Sequence, residues 1–261
     1  LHKEYRRQRQ MCIRDSAINE GLAEICFTDH MDLDYPETTE YENPAFIFDT
    51  AAYYKELSAL CAKYAGDIKI KIGIELGLIP YLKERNQAVA CSVPFDFIIG
   101  STHQIDGKDP YYPEFWAGRN SDDVVNEYFL LTYDNVRTYS DYDVYGHLDY
   151  ITRYSPDKSY RFEYMKHIDI IDCILKEIIH AGHGIELNTS PLCKGLDRTN
   201  PCLEIIKRYK ELGGEIITIG SDAHSFQNVG GYFDTAREIL LSCGFKYYSV
   251  FTNRKTEMRS L

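Results

Sequence analysis

Four histidines and two acidic residues stand in or just after short apolar runs of this chain, where parallel strands deliver side chains to a site. These residues are His30, Glu75, His103, His147, Asp222 and His224. A lone histidine at such a place is usually an ordinary loop residue, but a set at successive runs indicates one shared site. Imidazole combined with carboxylate favours zinc, manganese or iron over calcium. We therefore predict a metal centre.

These candidate ligands are too many for one ion. The pattern implies two or three divalent ions, and a carboxylate such as Glu75 can bridge two of them. Such ions lower the pKa of a shared water and stabilise the attacking and leaving oxygens of a displacement at phosphorus. The indicated chemistry is phosphoester hydrolysis, with catalytic roles for Glu75, Asp222 and Arg153.

Phosphate recognition calls for arginine, because its planar guanidinium matches the phosphate oxygens. Arg153 follows the stretch "GHLDYIT" and comes shortly after His147. Arg198 lies in the loop after Asn188, where a solvated loop charge is an equally good interpretation. We predict that the substrate is bound by Arg153, Arg198, Asn188 and Lys194.

Strand-like and helical segments alternate along the chain and must position these residues. Apolar runs typical of buried strands cover residues 24–28, 68–75, 97–101, 144–147, 185–188, 216–221 and 247–251. Helical patterns cover residues 49–64, 121–139, 163–181, 203–212 and 235–243, and Ser121 is the expected N-cap of the second. The alternation predicts an α/β fold with a parallel sheet. About seven strands with short connections favour a barrel over an open sheet, with the site at its C-terminal mouth.

Charge and composition limit the classes of partner. The formal net charge is -11, which argues against a nucleic-acid partner and favours a small substrate. Divalent ions at the mouth would attract a phosphate locally in spite of the acidic body. No apolar run is long enough to span a membrane, no signal peptide is recognisable, and the eight cysteines form no CxxC pair. A reducing, cytoplasmic setting is expected, and the oligomeric state is left open.

With these residues in place, the chain resembles the PHP (polymerase and histidinol phosphatase) superfamily, and more narrowly its histidinol-phosphatase branch. The matching motifs are "FTDHMDLDYP", "KIGIELG", "FIIGSTHQIDGKDPYY", "YGHLDYITRY", "IELNTS" and "TIGSDAHS". They extend over nearly all of residues 17–261. The resemblance implies a distorted TIM-like (β/α)7 barrel and hydrolysis of L-histidinol phosphate to L-histidinol and phosphate, a step of histidine biosynthesis.

The same resemblance implies a role for each ligand in a trinuclear site. Glu75 would bridge two ions, and Asp222 would help to hold the first ion. His103 and His147 would complete the second ion. His30 and His224 would hold the third.

Two departures from the family pattern leave alternatives open. Where the family usually has Gly and then Arg after its Asn-Thr-Ser motif, this chain has Pro191 and Cys193. Lys194 or Arg198 would then take over phosphate binding, and another small phosphomonoester is the alternative substrate. The family also begins with a short strand that ends in His-x-His, and nothing at the start of this chain fits that pattern. The first metal site is therefore expected to be incomplete, and impaired catalysis is a further alternative.

Residues 1–16 differ from the rest of the chain. They contain five Lys or Arg against two Asp or Glu, and His2 is their only histidine. The stretch "QMCIRDS" resembles the conceptual translation of a transposase adapter used in sequencing libraries. We predict that residues 1–16 are a non-native leader and that 17–261 form the phosphatase domain. The alternative is an unusual but genuine N-terminal helix.

Overall fold

The computed structural model describes residues 2–36, 46–157 and 159–261. The strands are β1 (Glu24–Met31), β2 (Lys69–Gly77), β3 (Phe97–Ser101), β4 (Val144–Tyr145), β5 (Gly184–Asn188), β6 (Ile217–Gly220), β7 (Tyr247–Thr252) and β8 (Lys255–Ser260). The helices are α1 (His2–Asn19), α2 (Thr50–Lys63), α3 (Lys83–Ala90), α4 (Ser121–Thr138), α5 (Ile168–His180), α6 (Ser190–Cys193), α7 (Leu203–Glu211) and α8 (Phe233–Ser242).

Strands β1 to β6 form one parallel sheet in which the spatial order is the chain order. Parallel neighbours need a crossover, and helices supply it after nearly every strand. The strands are covered on both faces, which is why they read as apolar runs: all of β3 and β5, and all of β2 except Lys69, are buried. The α/β class and the first six strand segments are confirmed.

The seventh apolar run has a different partner from the one expected. Strand β7 pairs antiparallel with β8, so the parallel continuation of the sheet was a wrong prediction. The two-residue turn at Asn253 and Arg254 has positive φ at both positions, which is the geometry of a tight hairpin. Strand β8 reads as polar in sequence because it is largely exposed, and the sequence analysis missed it.

Two helix starts also differ from the predictions. The N-cap of α4 is Asn120, whose side-chain oxygen accepts from the backbone N–H groups of Asp122 and Asp123, and Ser121 is the first helical residue. Helix α5 begins at Ile168, because a short 3₁₀ turn over Tyr164–Lys166 precedes it. Both changes leave the crossovers in place.

Helix α1 runs through the predicted boundary between residues 16 and 17. Ile13 and Ala17 are both buried in the main hydrophobic core. The Gln10 side chain donates to Asp29 Oδ2 at 2.9 Å. The guanidinium carbon of Arg14 lies 3.9 Å from the centre of the Tyr64 ring. The predicted non-native status of residues 1–16 stays a prediction. No helix among the described residues has the length and apolar character to cross a membrane.

Candidate metal centre

The carboxylate of Glu75 lies at the centre of a buried group of imidazoles. Glu75 Oε1 is 3.1 Å from His103 Nε2 and 3.0 Å from His147 Nε2, and it accepts a hydrogen bond from Ser101 Oγ at 2.7 Å. The two imidazole Nε2 atoms are 3.4 Å apart. Since β2, β3 and β4 are neighbours in the sheet, residues at or just beyond their C-terminal ends meet here.

His30 joins this group to a second one. Strand register places His30 directly beside Glu75, with His30 Nδ1 3.5 Å from Glu75 Oε2. On its other side the His30 ring lies 5.7 Å from the His224 ring, centroid to centroid. His224 Nδ1 is 3.3 Å from Asp222 Oδ1. Two sets of side chains can therefore each hold a cation: His30, Glu75 and His103, and His30, Asp222 and His224. His147 contacts the first set through Glu75.

The backbone is left-handed at two of these positions. His147 has φ of 24° and Asp222 has φ of 45°. Residues other than glycine rarely adopt such φ values, and those that do are often found at functional sites. Both residues come two positions after short strands have ended, where the chain turns away from the sheet. The turn directs the two side chains into the mouth.

Without an ion, the carboxylates stabilise the charged forms of His30 and His103, whereas burial lowers the pKa of His147 in spite of Glu75. Burial lowers the pKa of His30, but the attraction of Glu75 and Asp32 outweighs it and raises that pKa to about 9. The pKa of His103 is likewise raised by Asp32 and Glu75 against burial. Burial raises the pKa of Glu75, but His30 and His103 lower it well below its usual range. The site is therefore built for cations, and protons take that place when no metal is bound.

Two buried carboxylates that the sequence analysis missed lie against this group. Asp32 Oδ1 is 2.6 Å from His103 Nδ1. Glu186, inside β5, accepts from the backbone N–H of His147 at 3.2 Å. Burial, Glu75 and Asp222 together raise the pKa of Glu186 to about 8. The signal for Asp32 was its position two residues after His30, and Glu186 gave no signal beyond being an acid in an apolar run.

Arg153 lies beside the site and has buried donors that no described residue accepts from. Its guanidinium carbon lies 4.3 Å from the centre of the Tyr150 ring, and the Tyr150 ring lies 4.9 Å from the His147 ring, centroid to centroid. Its Nε and Nη1 atoms are buried and have no hydrogen-bond partner among the described residues. Burial lowers the Arg153 pKa, but Tyr154, Tyr150 and Asp222 outweigh that effect, so the group stays charged. An anion at the mouth would satisfy these donors.

The other three predicted substrate-binding residues either bond to protein groups or are exposed. Asn188 is buried, and its amide is engaged by Glu186 Oε2 at 3.1 Å and by the backbone N–H of Ser190 at 3.0 Å. Arg198 donates to the backbone oxygen of Thr152 at 2.7 Å, next to Arg153. Lys194 is exposed. Asn188 and Arg198 thus hold the local backbone in this structure, and their contact with substrate stays a prediction.

The centre opens into a cavity of about 550 Å³. His30, Asp222 and His224 line it, together with residues of β1 and β6, the two outermost strands of the parallel sheet. Gln10 and Ile13 of α1 contribute to its wall. The space is large enough for a small phosphorylated molecule beside the metal ligands.

Comparison with protein families and curated proteins adds to this geometry. The PHP domain model matches residues 10–190. Histidinol-phosphatase of Lactococcus lactis is 33% identical over 245 residues, covering 92% of this chain and 87% of the relative. Probable histidinol-phosphatase of Clostridium acetobutylicum is 33% identical over 225 residues, covering 85% of this chain and 83% of the relative.

Solved structures show the same architecture. The Lactococcus lactis histidinol phosphate phosphatase, complexed with zinc, L-histidinol and phosphate, matches with a TM-score of 0.83 and 28% identity, over 95% of this chain and 92% of that chain. The distorted TIM-like barrel expected from the sequence is thereby confirmed. A putative histidinol phosphatase of Listeria monocytogenes matches in fold with a TM-score of 0.70 and 18% identity, over 85% of this chain and 92% of that chain.

Proposed function

The chain belongs to the PHP family, and from this membership we propose that it is a metal-dependent histidinol-phosphatase. The reaction is L-histidinol phosphate plus water to L-histidinol plus inorganic phosphate. One observation carries the proposal. The imidazoles of His30, His103 and His147 face one carboxylate, in a fold similar to that of a relative complexed with zinc, L-histidinol and phosphate.

The donor set fits divalent ions of the zinc, manganese or iron type. Ions of this type bind imidazole and carboxylate groups. Here Glu75 is ionised, and protons on His103 balance its charge. When bound, the ions supply Lewis-acid activation of water and stabilise negative charge on the phosphate oxygens. We propose two or three ions with Glu75 as the bridge, held by His30, Glu75, His103, His147, Asp222 and His224. The first of the three sites remains the incomplete one.

Arg153 binds the phosphoryl group in this proposal. Its Nε and Nη1 atoms have no partner among the described residues, so their N–H groups are free to donate to phosphate oxygens. Asp222 receives a proton from the attacking water and gives it to the histidinol oxygen as the P–O bond breaks. Burial raises the pKa of Asp222, but His224 and Arg153 outweigh it and keep the carboxylate ionised at neutral pH.

The first test concerns Glu75. Glu75→Gln keeps the size of the side chain but removes the charge shared by the imidazoles, so we expect most bound metal and most phosphatase activity to be lost. Metal content by mass spectrometry and hydrolysis of L-histidinol phosphate are the two measurements. The control is Glu84→Gln, an exposed acid on α3. Full activity in Glu75→Gln would refute the role of Glu75 as the bridge.

The second candidate is a phosphatase acting on another small phosphomonoester. It is favoured by the loop after β5, where Pro191 is buried at the start of α6 and Cys193 lies against Gly231. Turnover of L-histidinol phosphate beside a panel of phosphorylated metabolites decides between the two. Failure on L-histidinol phosphate with turnover of another ester would favour this candidate. Failure on every ester, with fewer ions bound than the ligand set can hold, would favour impaired catalysis.

A further inference from the structure

We propose that Asp32 is a positioning residue of the metal centre, which holds His103 with its proton on Nδ1 and its Nε2 lone pair directed at the ion. The inference rests on the proposed function only in taking the ligands to bind divalent metal. Asp32 lies within the matching motif "FTDHMDLDYP", but the resemblance assigns it no role. The geometry around its carboxylate carries the argument.

The contact between Asp32 and His103 is short and dry. Asp32 Oδ1 is 2.6 Å from His103 Nδ1, and both side chains are buried. An ionised carboxylate can only accept hydrogen bonds, so Nδ1 must carry the proton. The opposite nitrogen, Nε2, faces Glu75 and His147. Because Asp32 fixes the Nδ1 proton, the proton on Nε2 is the one that a metal ion would replace.

Asp32 also touches the other imidazole of the same cation-binding set. Its Oδ2 atom is 3.4 Å from His30 Nδ1. Asp32 and Glu75 therefore lie at opposite ring nitrogens of His103, whereas both approach Nδ1 of His30. The backbone N–H of Asp32 donates to the Phe46 oxygen at 3.2 Å, which fixes the chain at the point where the carboxylate projects.

A neighbouring glycine makes room for this carboxylate. A Cβ atom added at Gly77, the last residue of β2, would lie 2.0 Å from Asp32 Oδ1. Any side chain at position 77 would push the carboxylate away from His103. This steric relationship is independent of the hydrogen bond, so it gives a second way to disturb the same contact without touching Asp32 or a ligand.

Zinc affinity tests the proposal directly. In Asp32→Ala the His103 proton loses its acceptor, and we expect zinc to bind about 10- to 100-fold more weakly in a chelator competition. Asp32→Asn can still accept through its amide oxygen and should recover part of that loss. The matched control is Asp34→Asn, because Asp34 lies on the same loop but is exposed and paired with Arg85. A zinc affinity of Asp32→Ala within threefold of the parent would overturn the proposal.

Two further measurements separate positioning from a general structural role. Nitrogen-15 NMR of the zinc-loaded parent should show His103 protonated at Nδ1, and protonation at Nε2 would contradict the proposal. Gly77→Ala should weaken zinc binding in the same direction as Asp32→Ala even if Asp32→Ala folds poorly, and parental affinity in a folded Gly77→Ala would also contradict it. Neither measurement involves substrate. If the chain fails to hydrolyse L-histidinol phosphate, the zinc and NMR results still decide the role of Asp32.

Discussion

Single residues of the centre have two different roles in the proposed function: some bind the metal ions, and Arg153 binds the substrate phosphate. Glu75 and the imidazoles around it hold the charge. Arg153 supplies positive charge beside the imidazoles, and two of its buried donors have no partner in the described part of the chain. Substitution of a ligand residue should therefore lower the metal affinity, whereas substitution of Arg153 should lower only the catalytic efficiency.

Arg153→Ala should therefore separate substrate binding from metal binding. Removing a donor pair that contacts phosphate in a dry site costs about 100- to 1000-fold in activity. We expect kcat/KM for L-histidinol phosphate to fall by that factor while zinc affinity stays at the parental value. Steady-state kinetics and a zinc titration check the two halves of the prediction.

Arg137→Ala is the matched control for Arg153→Ala. Arg137 is exposed on α4, and its guanidinium carbon lies 5.3 Å from the Tyr133 ring, so it keeps the arginine–tyrosine contact without facing the site. Its removal should leave kcat/KM within about twofold. A loss of zinc in Arg153→Ala would show instead that Arg153 supports the ligands.

Proton release on metal binding follows from the raised pKa of His30. Since that pKa is about 9 without an ion, His30 is protonated at neutral pH and must lose its proton to bind zinc. Zinc affinity should rise with pH above 7, by up to about tenfold per pH unit for each of the two protons that His30 and His103 release. Calorimetry in two buffers of different ionisation enthalpy measures the released protons. A pH-independent affinity over this range would contradict the prediction.

The same shift has the opposite consequence for the metal-free fold. The folded-state pKa of His30 lies above the unfolded value of 6.5. Its contribution to stability is therefore fully present below pH 6.5 and is lost as the pH rises through about 9. Urea unfolding of metal-free protein at pH 6 and pH 9.5 should show the decrease, and His30→Asn should reduce it.

The candidate metal ligands could be predicted from the sequence, but the carboxylates that contact them, Asp32 and Glu186, could not. His103 and His147 follow apolar runs, so their position in a parallel α/β fold was predictable. Glu186 lies inside such a run, and nothing in the sequence says whether an acid there faces a site or a helix. Asp32 acts through a contact 71 residues away in the chain, and such pairings depend on the register of the sheet.

At the scale of elements, α4 and β4 fix the start of the loop that carries His103. Thr102, the residue before His103, shares its hydroxyl oxygen with Tyr145 Oη at 2.5 Å, Thr132 Oγ1 at 3.2 Å and Asn135 Nδ2 at 3.0 Å. All these groups are buried. Helix α4 thus contacts, through Thr132 and Asn135, the residue that directly precedes the ligand His103.

Thr102→Val should destabilise this junction. The variant keeps the shape but removes the shared oxygen, and buried donors left without their partner cost about 1–3 kcal/mol. We expect the free energy of unfolding to fall by that amount in urea denaturation. Thr256→Val, on the exposed strand β8, is the control and should change it by less than about 0.5 kcal/mol. Equal effects of the two variants would contradict the role given to Thr102.

Elements were predictable where local pattern and tertiary setting agree. The parallel strands are buried and apolar. The five helices that were predicted, α2, α4, α5, α7 and α8, lie within about five residues of their predicted limits. Strand β7 was recognised but its partner was not, because β8 is exposed and has no apolar pattern. The N-cap of α4 was displaced by one residue, since Asn120 and Ser121 are both good caps and only geometry separates them.

At the scale of the whole molecule, α1 covers the space between the two outermost strands of the parallel sheet. Ile13 is buried in the main core, and it also lines the cavity that continues to the metal centre. Ser16 Oγ donates to the Phe226 oxygen at 2.6 Å, which ties the end of the segment to the loop after β6. The predicted boundary at residue 16 therefore has a measurable consequence.

Ile13→Ala tests whether residues 1–16 belong to the folded unit. If α1 is docked as described, the loss of a buried isoleucine side chain should lower the free energy of unfolding by about 2–5 kcal/mol. The control is Met11→Ala, because Met11 is 38% exposed on the same helix. Parental stability of Ile13→Ala would favour the prediction that these residues are a non-native leader.

The close fit of carboxylates against glycines has an evolutionary consequence. Asp32 occupies the space that a side chain at Gly77 would need, and Glu186 Oε1 would lie 2.1 Å from a Cβ at Gly220. Each pair should therefore change together among relatives: a lineage that gains a side chain at position 77 should lose the acid at position 32. The same coupling is expected between positions 220 and 186. Glycines that look like inert spacers in one sequence would then mark, across many sequences, which lineages still orient their metal ligands in this way.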